Sequence, residues 1–170
     1  MTERSTVVSA GHAHPVRGGK GTVVVTTVAS DSHTWNLVYL QLLIEELGYR
    51  VINLGPCVPD DLLVRECLDT APDLLVVSSV NGHGHQEGMR MIRRLRERPE
   101  LAATPAVIGG KLGITDEADA LTEQLTEAGF DAVFPDDADP VIAFRSFVDV
   151  LERSVRTAGS RALPASRITA

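Results

Sequence analysis

The sequence predicts an α/β fold in which a doubly wound sheet of five parallel strands carries helices on both faces. Short β-branched or aliphatic runs alternate with longer segments of helical pattern. The runs start 23 to 32 residues apart, which is the length of one β-α unit. The 170 residues are 44% hydrophobic, enough for one buried core. We therefore expect one domain over 21–156, between a flexible N-terminal arm, 1–20, and a flexible C-terminal tail, 157–170.

Five short apolar runs are the predicted strands. The first, 22–28, is β-branched throughout, which is typical of a strand buried on both faces. The others are 51–54, 74–79, 106–108 and 132–134.

A helical segment follows each predicted strand. The first, 37–47, ends at Gly48, a favourable position for a left-handed C-terminal cap. The second, 59–70, has Asp60 and Asp61 near its N-terminus, where the helix dipole favours negative charge. The remaining helices are predicted at 87–98, at 118–128 before Gly129, and at 141–156.

Composition excludes several classes of protein. The formal net charge is −7, and no basic stretch is interleaved with aromatic residues, so a nucleic-acid surface is not expected. No apolar run approaches the roughly 20 residues that a membrane-spanning helix needs, and the N-terminus lacks an apolar signal core. Two cysteines, Cys57 and Cys67, do not make a disulfide framework. A cytoplasmic chain with reduced thiols is predicted.

Ligands of doubly wound sheets bind beyond the carboxyl ends of the strands, near the switch in strand order. The site is therefore expected in the loops after Val28, Leu54, Ser79, Ile108 and Phe134. The chain has neither a GxGxxG sequence after its first strand nor a GxxxxGK[ST] sequence, so the common nucleotide-binding loops are excluded.

The loop after the first strand contains an Asp-x-His sequence. The carboxylate of Asp31 can accept a hydrogen bond from one imidazole nitrogen of His33, which leaves the other nitrogen free as a metal ligand or a base. A helix-capping Asp31 beside a surface histidine would explain the same two residues. His83 and His85 have no carboxylate or cysteine nearby in the sequence, and we expect them to be exposed or to face a substrate.

Taken in order, three motifs resemble the signature of cobalamin-binding domains, which are flavodoxin-like or Rossmann-like. Asp31-Ser32-His33, Ser78-Ser79-Val80 and Gly109-Gly110 are similar to D-x-H-x-x-G, S-x-L and G-G. The chain most resembles the small subunits of adenosylcobalamin-dependent glutamate mutase, also called methylaspartate mutase. The likeness extends from Val23 to about Leu151, about three quarters of the chain.

The resemblance implies a role for each motif residue. His33 would be the axial ligand of cobalt in place of the cofactor's own dimethylbenzimidazole, with Asp31 hydrogen-bonded behind it. Ser78 would line the slot that takes the displaced dimethylbenzimidazole tail, and Gly109 and Gly110 would border the nucleotide loop of that tail. The other cofactor contacts would be Ser30, Ser32, Thr34, Ser79, Val80, Lys111, Leu112 and Gly113.

The resemblance also implies a function. The chain would hold adenosylcobalamin base-off and His-on for the radical rearrangement of a carbon-skeleton mutase, with no catalytic residue of its own beyond the cofactor. It would be inactive without a larger barrel-type catalytic subunit, and its substrate would be a small acidic amino acid of glutamate type.

Four positions depart from the family pattern. Asn36 stands where the family has glycine, and its tolerance of left-handed backbone is expected to preserve the loop. Val80 replaces leucine, a mild change. His83 and Lys111 stand in place of the expected glutamine and asparagine, which leaves a different small acid open as substrate.

Three other functions remain open. A corrinoid methyl carrier is disfavoured, because such carriers have a helical cap of several tens of residues and only about 20 residues precede the first strand here. A non-catalytic cobalamin sensor or chaperone needs only the bare domain. A flavodoxin-like domain without cobalamin is the plainest alternative.

Overall fold

The computed structural model describes residues 19–113 and 118–135, together with Ile142, Arg145, Val148, Asp149 and Glu152. Strands and helices alternate along the chain, as predicted. The strands are β1 (Thr22–Thr27), β2 (Arg50–Asn53), β3 (Leu74–Ser79), β4 (Ala106–Gly110) and β5 (Ala132–Pro135). The helices are α1 (Trp35–Glu46), α2 (Asp60–Thr70), α3 (Gly84–Arg96) and α4 (Ala118–Ala128).

All five strands are parallel, in the order β2-β1-β3-β4-β5. The doubly wound α/β fold is therefore confirmed. The chain runs from β1 outward to β2 and then returns to the other side of β1 at β3, which places the topological switch between β1 and β3. Thr27 is level with Ser78, and Ser78 with Gly109, so the loops after β1, β3 and β4 leave the same edge of the sheet.

Each face of the sheet has its own hydrophobic cluster, because successive side chains of a strand point to opposite faces. In β1, Val23 and Val25 face the α1 side, where Leu37 and Ile44 pack on them. Val24 faces the opposite side, where it joins the cluster that includes residues of α2, α3 and α4. Members of that second cluster include Leu63, Val64, Leu75, Met91, Ile92, Leu95, Ile108, Leu125 and Phe130.

The predicted start of α3 at residue 87 is wrong, because the helix begins at Gly84. Gly84 is buried, and a Cβ there would lie 2.7 Å from Cβ of Ser79, so only glycine lets the helix approach β3 this closely. A glycine that marks a loop in the sequence is here a packing residue inside a helix. The helix α1 begins at Trp35, also before the predicted start at residue 37.

The predicted left-handed caps are confirmed. Gly48, two residues after α1, has φ +93°, and Gly129, directly after α4, has φ +128°. The predicted last helix, 141–156, falls mostly outside the described residues, and its five described positions are helical. The predicted arm and tail also lie outside them, apart from Gly19 and Lys20. Within the described parts of the chain, no helix has the length and apolar character to cross a membrane.

Candidate functional site

Asp31 is completely buried in the loop between β1 and α1, and its carboxylate joins two loops. Its Oδ1 accepts a hydrogen bond from the backbone N–H of His33 at 3.0 Å and lies 2.7 Å from Nδ1 of the same histidine. Its Oδ2 accepts a hydrogen bond from the backbone N–H of Val80 at 2.6 Å. The loop after β1 and the loop after β3 are therefore held together by one side chain.

These hydrogen bonds also keep the carboxylate charged. Burial of Asp31 opposes ionisation, but the N–H groups of Val80 and His33 and the imidazole of His33 outweigh it, so the pKa of Asp31 lies below its ordinary value. An ionised carboxylate only accepts hydrogen bonds, so the proton of a neutral His33 ring lies on Nδ1. The alternative of a helix-capping Asp31 is wrong, because the N-cap of α1 is Thr34 and no side chain caps that helix end.

The free nitrogen of His33 is Nε2. The side chain of His33 is 48% exposed, and Nε2 makes no hydrogen bond with any described residue. A neutral imidazole held in this way presents a lone pair on Nε2 with a fixed tautomer, which is the form in which histidine binds metals.

The loop after β2 supports the Asp31 backbone from the other side. The carbonyl of Asp31 accepts hydrogen bonds from Oγ1 of Thr27 and from the backbone N–H of Cys57, both at 2.9 Å. Cys57 has φ +55°, in the left-handed region that is costly for a residue with a Cβ. Sequence reasoning missed Cys57, since nothing in its sequence context signals this contact.

A cavity of about 170 Å³ lies between α1 and the carboxyl ends of β3, β4 and β5. Its walls are largely apolar, and Asn36 and Ser78 supply polar side chains. The lining residues are Trp35, Asn36, Tyr39, Leu40, Val76, Val77, Ser78, Val80, Gly109, Gly110 and Phe134.

Asn36 and Ser78 are bonded to each other in the wall of this cavity. Nδ2 of Asn36 donates to Oγ of Ser78 at 2.6 Å, whereas the buried Oδ1 of Asn36 has no partner among the described residues. The expectation of a left-handed backbone at Asn36 is wrong, because this residue lies in the first turn of α1, which begins earlier than predicted. Cys57 and Ala71 are the non-glycine residues of the described chain with positive φ.

Two glycines of β4 line the cavity. Gly110 has φ +99°, and a Cβ there would collide with the carbonyl oxygen of Ser79. A Cβ at Gly109 would lie 3.1 Å from the carbonyl oxygen of Phe134. The backbone of β4 is therefore bare where a ligand in the cavity would approach it.

The structure brings some of the predicted site residues together and separates others. Ser78, Val80, Gly109 and Gly110 line the cavity, and Asp31 and His33 lie in the loop joined to Val80. Ser32, Thr34 and Lys111 are exposed near this edge, whereas Ser79 and Leu112 are buried, and a Cβ at Gly113 would meet Leu121.

Ser30 lies on the α3 side of the edge. Its hydroxyl donates to Oε2 of Glu87 at 2.7 Å and accepts from Nδ2 of Asn81 at 2.9 Å. It borders a second, more open cavity of about 290 Å³ with His83, Gln86, Glu87 and Arg90.

Several cavity residues were not singled out by sequence reasoning. Trp35 and Tyr39 are one helical turn apart on α1, Leu40 follows, and Phe134 lies on β5. The i, i+4 spacing of the two aromatic residues was a usable signal, but Trp35 precedes the predicted helix start at residue 37. Trp35 is the sole tryptophan of the sequence and is 64% exposed.

His83 and His85 make no metal site with their described neighbours. His83 is exposed directly before α3, and Nε2 of His85 lies 2.9 Å from Oε1 of Gln124. Across the described residues, no group of three or more histidine, cysteine, aspartate or glutamate side chains is close enough to hold a metal ion. A protein-only metal centre is thus absent from this part of the chain.

Comparison with known proteins identifies a B12-binding domain. The family model of the B12 binding domain matches residues 21–145, and the chain belongs to this family. It is similar to the glutamate mutase sigma subunit of Escherichia coli O157:H7, with 36% identity over 117 residues, 68% of this chain and 77% of that protein. The resemblance predicted from three short motifs is confirmed.

A second relative covers more of the chain. The glutamate mutase sigma subunit of Halobacterium salinarum is 31% identical over 140 residues, which are 80% of this chain and 93% of that protein. Among solved structures, a cobalamin-binding protein from Desulfitobacterium hafniense superimposes with a TM-score of 0.62 at 18% identity. The match covers 76% of this chain and 58% of that chain, and at this identity it supports the fold alone.

Proposed function

We propose that this chain is the cobalamin-binding subunit of a mutase of the glutamate mutase type, and that it holds adenosylcobalamin through His33. The observation that carries the proposal is the Asp31–His33 pair beside the cavity under α1. Asp31 holds Nδ1 at 2.7 Å, so Nε2 is the nitrogen that would coordinate cobalt. The cofactor's dimethylbenzimidazole, displaced from cobalt, would enter the cavity beside Ser78.

The residues present fit such a group. The cavity is largely apolar and lies at the sheet edge, which suits a flat aromatic base. Gly109 and Gly110 line the cavity without side chains, and in this proposal the chain that connects the base to the corrin ring passes beside them. When bound, the cofactor supplies the radical chemistry through its cobalt–carbon bond, and the protein's part is to bind and orient it.

The remaining residues that we predicted to contact the cofactor include both exposed and buried side chains. Ser32, Thr34 and Lys111 are exposed around His33 and the cavity, where they can touch the corrin ring or its side chains. Ser79 and Leu112 are buried, so in this proposal they support the edge of the site by packing.

A larger catalytic subunit belongs to this proposal. The site lies on an open sheet edge and His33 is half exposed, so the described residues do not by themselves enclose a cofactor. Radical chemistry has to be shielded from water, and a barrel-type partner would close over the exposed face. The relatives' names make a small acidic amino acid of glutamate type the preferred substrate.

Electron paramagnetic resonance tests the axial ligand directly. The cob(II)alamin complex of uniformly ¹⁵N-labelled chain should show a nitrogen splitting that changes from a triplet to a doublet relative to unlabelled chain. His83→Ala, which removes another exposed histidine of the same edge, should leave the label-dependent splitting unchanged, whereas His33→Ala should abolish that splitting. A nitrogen splitting that is the same in labelled and unlabelled chain would mean that the ligand nitrogen comes from the cofactor, and the proposal would fail.

A further inference from the structure

The helix α1 carries an exposed apolar stripe, formed by Trp35, Val38, Tyr39 and Leu42. We propose that this stripe is the interface of a homodimer, in which α1 of one copy packs antiparallel on α1 of a second copy. The inference goes beyond the proposed function and does not depend on it, because it concerns an exposed helix face and no contact with a cofactor.

The first observation is the exposure of these four side chains. They are spaced i, i+3, i+4 and i+7, which places them on one face of the helix. Their exposed fractions are 64%, 54%, 49% and 63% in chain order. Among the described residues six large apolar side chains are exposed, and four of the six belong to this stripe. Single exposed apolar residues are ordinary, whereas a contiguous patch of them indicates a contact surface.

The second observation is the absence of charge. No charged residue occurs from Trp35 to Ile44, although 23% of the whole chain is charged. The opposite face of α1 is buried, with Leu37 and Ile44 in the hydrophobic cluster on that side of the sheet. A helix that is apolar on both faces is typical of a helix buried on both faces. Two copies with a net charge of −7 each repel one another, so they associate best through a surface without charges.

The third observation is the symmetry of the spacing, which fits a second copy of the same helix. A two-fold axis between Val38 and Tyr39 pairs Trp35 of one copy with Leu42 of the other. The same axis pairs Val38 with Tyr39, so an aromatic side chain meets an aliphatic one in every pair. The two glutamates that end α1 would lie beyond the first turn of the other α1, where the helix dipole favours negative charge.

The area of the stripe suits a weak dimer. With these exposed fractions, the four side chains present roughly 400–500 Å² per copy, so two copies would bury roughly 800–1,000 Å² through them alone. Flanking residues would bring the total to the lower end of the range for specific interfaces, about 1,000–1,200 Å². We therefore expect a dissociation constant on the order of 10–100 μM.

Sedimentation of the full chain over a range of concentrations tests the inference. Leu42→Glu should weaken dimerisation by about 100-fold or more, because the two-fold axis buries the new charge at two contacts. Leu68→Glu is the matched control, since Leu68 is 39% exposed on α2, which packs on the other face of the sheet, and it should leave the dimer unchanged. A wild-type chain that stays monomeric at several hundred μM, or equal weakening by both variants, would overturn the inference.

The fluorescence of Trp35, the sole tryptophan of the sequence, reports on the same contact. Its emission should shift to shorter wavelength as the concentration rises through the dissociation constant, because Leu42 of the other copy would cover the indole. Leu42→Glu should abolish this shift. An emission maximum that does not change while the wild-type chain dimerises would place the interface elsewhere, and the inference would be wrong.

Cysteine cross-linking tests the antiparallel pairing. In the dimer, Val38→Cys lies beside the two-fold axis and should form an intermolecular disulfide rapidly. Two copies of Trp35→Cys would hold their cysteines more than about 10 Å apart, too far for a disulfide, whereas a mixture of Trp35→Cys and Leu42→Cys chains should cross-link. The wild-type chain, whose Cys57 is exposed, measures the background. Rapid self-linkage of Trp35→Cys would contradict the pairing.

A larger catalytic subunit is the other candidate to cover the stripe. If the wild-type chain is monomeric and Leu42→Glu weakens its association with such a subunit, the stripe is a heteromeric contact and the dimer inference is wrong. The sedimentation, fluorescence and cross-linking measurements use the chain without a cofactor, so their failure leaves the proposed cobalamin site untouched.

Discussion

At the scale of single residues, the carboxylate of Asp31 combines two tasks that are usually separate. It holds the ring of His33 through Oδ1 and the loop after β3 through Oδ2. Neutralising this side chain should therefore disturb the orientation of the imidazole and the position of Val80 together.

We expect Asp31→Asn to weaken cobalamin binding by about 10–100-fold, the usual effect of losing a hydrogen-bond partner behind a metal-binding histidine. The amide keeps one acceptor oxygen but places an NH₂ group against a donor, either the N–H of Val80 or the ring of His33. His33→Ala should weaken binding further, because it removes the proposed ligand itself. Calorimetric titration with cobalamin measures both, and equal losses would argue against an axial His33.

The two cysteines should differ sharply in reactivity. Cys57 is exposed, whereas Cys67 is buried, and burial raises the pKa of Cys67 to about 12 from 9.0. An aromatic disulfide reagent at pH 8 should modify one thiol rapidly in the native chain and two after denaturation. Rapid modification of both in the native chain would contradict the described packing of α2.

The same raised pKa of Cys67 has a consequence for stability. In the unfolded chain this thiol ionises at an ordinary pKa, so the folded state binds the proton more tightly. The free energy of unfolding should therefore fall as the pH rises from about 9 towards 12, and Cys67→Ala should reduce this fall. Urea titrations of both chains over this pH range provide the comparison.

At the scale of elements, Arg96 ties the end of α3 to two connecting segments. Its guanidinium donates to the carbonyls of Leu101 and Thr104 before β4, at 3.1 and 2.6 Å, and to the carbonyl of Gly129 after α4, at 2.7 Å through Nη2. It also pairs with Asp131 at 3.0 Å. One side chain thus donates hydrogen bonds to carbonyl groups of both segments.

Arg96→Met should lower the free energy of unfolding by about 2–4 kcal/mol, because several partly buried carbonyls lose their donor. Arg96→Lys should recover little of this, since a single ammonium group cannot reach both segments as the planar guanidinium does. Arg93→Met, at an exposed position of the same helix, is the matched control and should change stability by less than about 0.5 kcal/mol. Urea unfolding measures the free energy of unfolding of each variant. Similar losses for the Arg96 and Arg93 variants would refute the bridging role.

At the scale of the whole molecule, the open edge of the sheet makes cofactor binding and subunit association interdependent in the proposed function. A corrin that lies between two chains contacts both, so each chain should raise the other's affinity for the cofactor by the same factor.

Adenosylcobalamin should therefore tighten the association of this chain with a larger catalytic subunit of the glutamate mutase type. Sedimentation of the two chains with and without the cofactor measures the effect, and identical association in both conditions would refute a shared site. The chain by itself, loaded with adenosylcobalamin, should convert no glutamate, whereas turnover without a partner would contradict the need for a closed cavity.

Local signals in the sequence were enough to predict the order and type of the elements and the loops of the candidate site. The strand predicted at 74–79 and the helix predicted at 118–128 have the bounds of β3 and α4, because their signals are local: an apolar run, a helical period and a glycine cap. Asp31 and His33 were identified for the same reason, since two residues in one loop can be paired from their spacing.

Which side chains meet across the edge of the sheet could not be predicted from the sequence. The bond from Val80 to Asp31, the contact of Cys57 with the Asp31 carbonyl and the pairing of Asn36 with Ser78 all join residues from different loops or elements. Their partners depend on strand register and on how closely α1 packs on β3, and sequence spacing carries no information about either. The unpartnered Oδ1 of Asn36 also could not be predicted from the sequence, because the burial of an atom depends on how the elements pack in the folded chain.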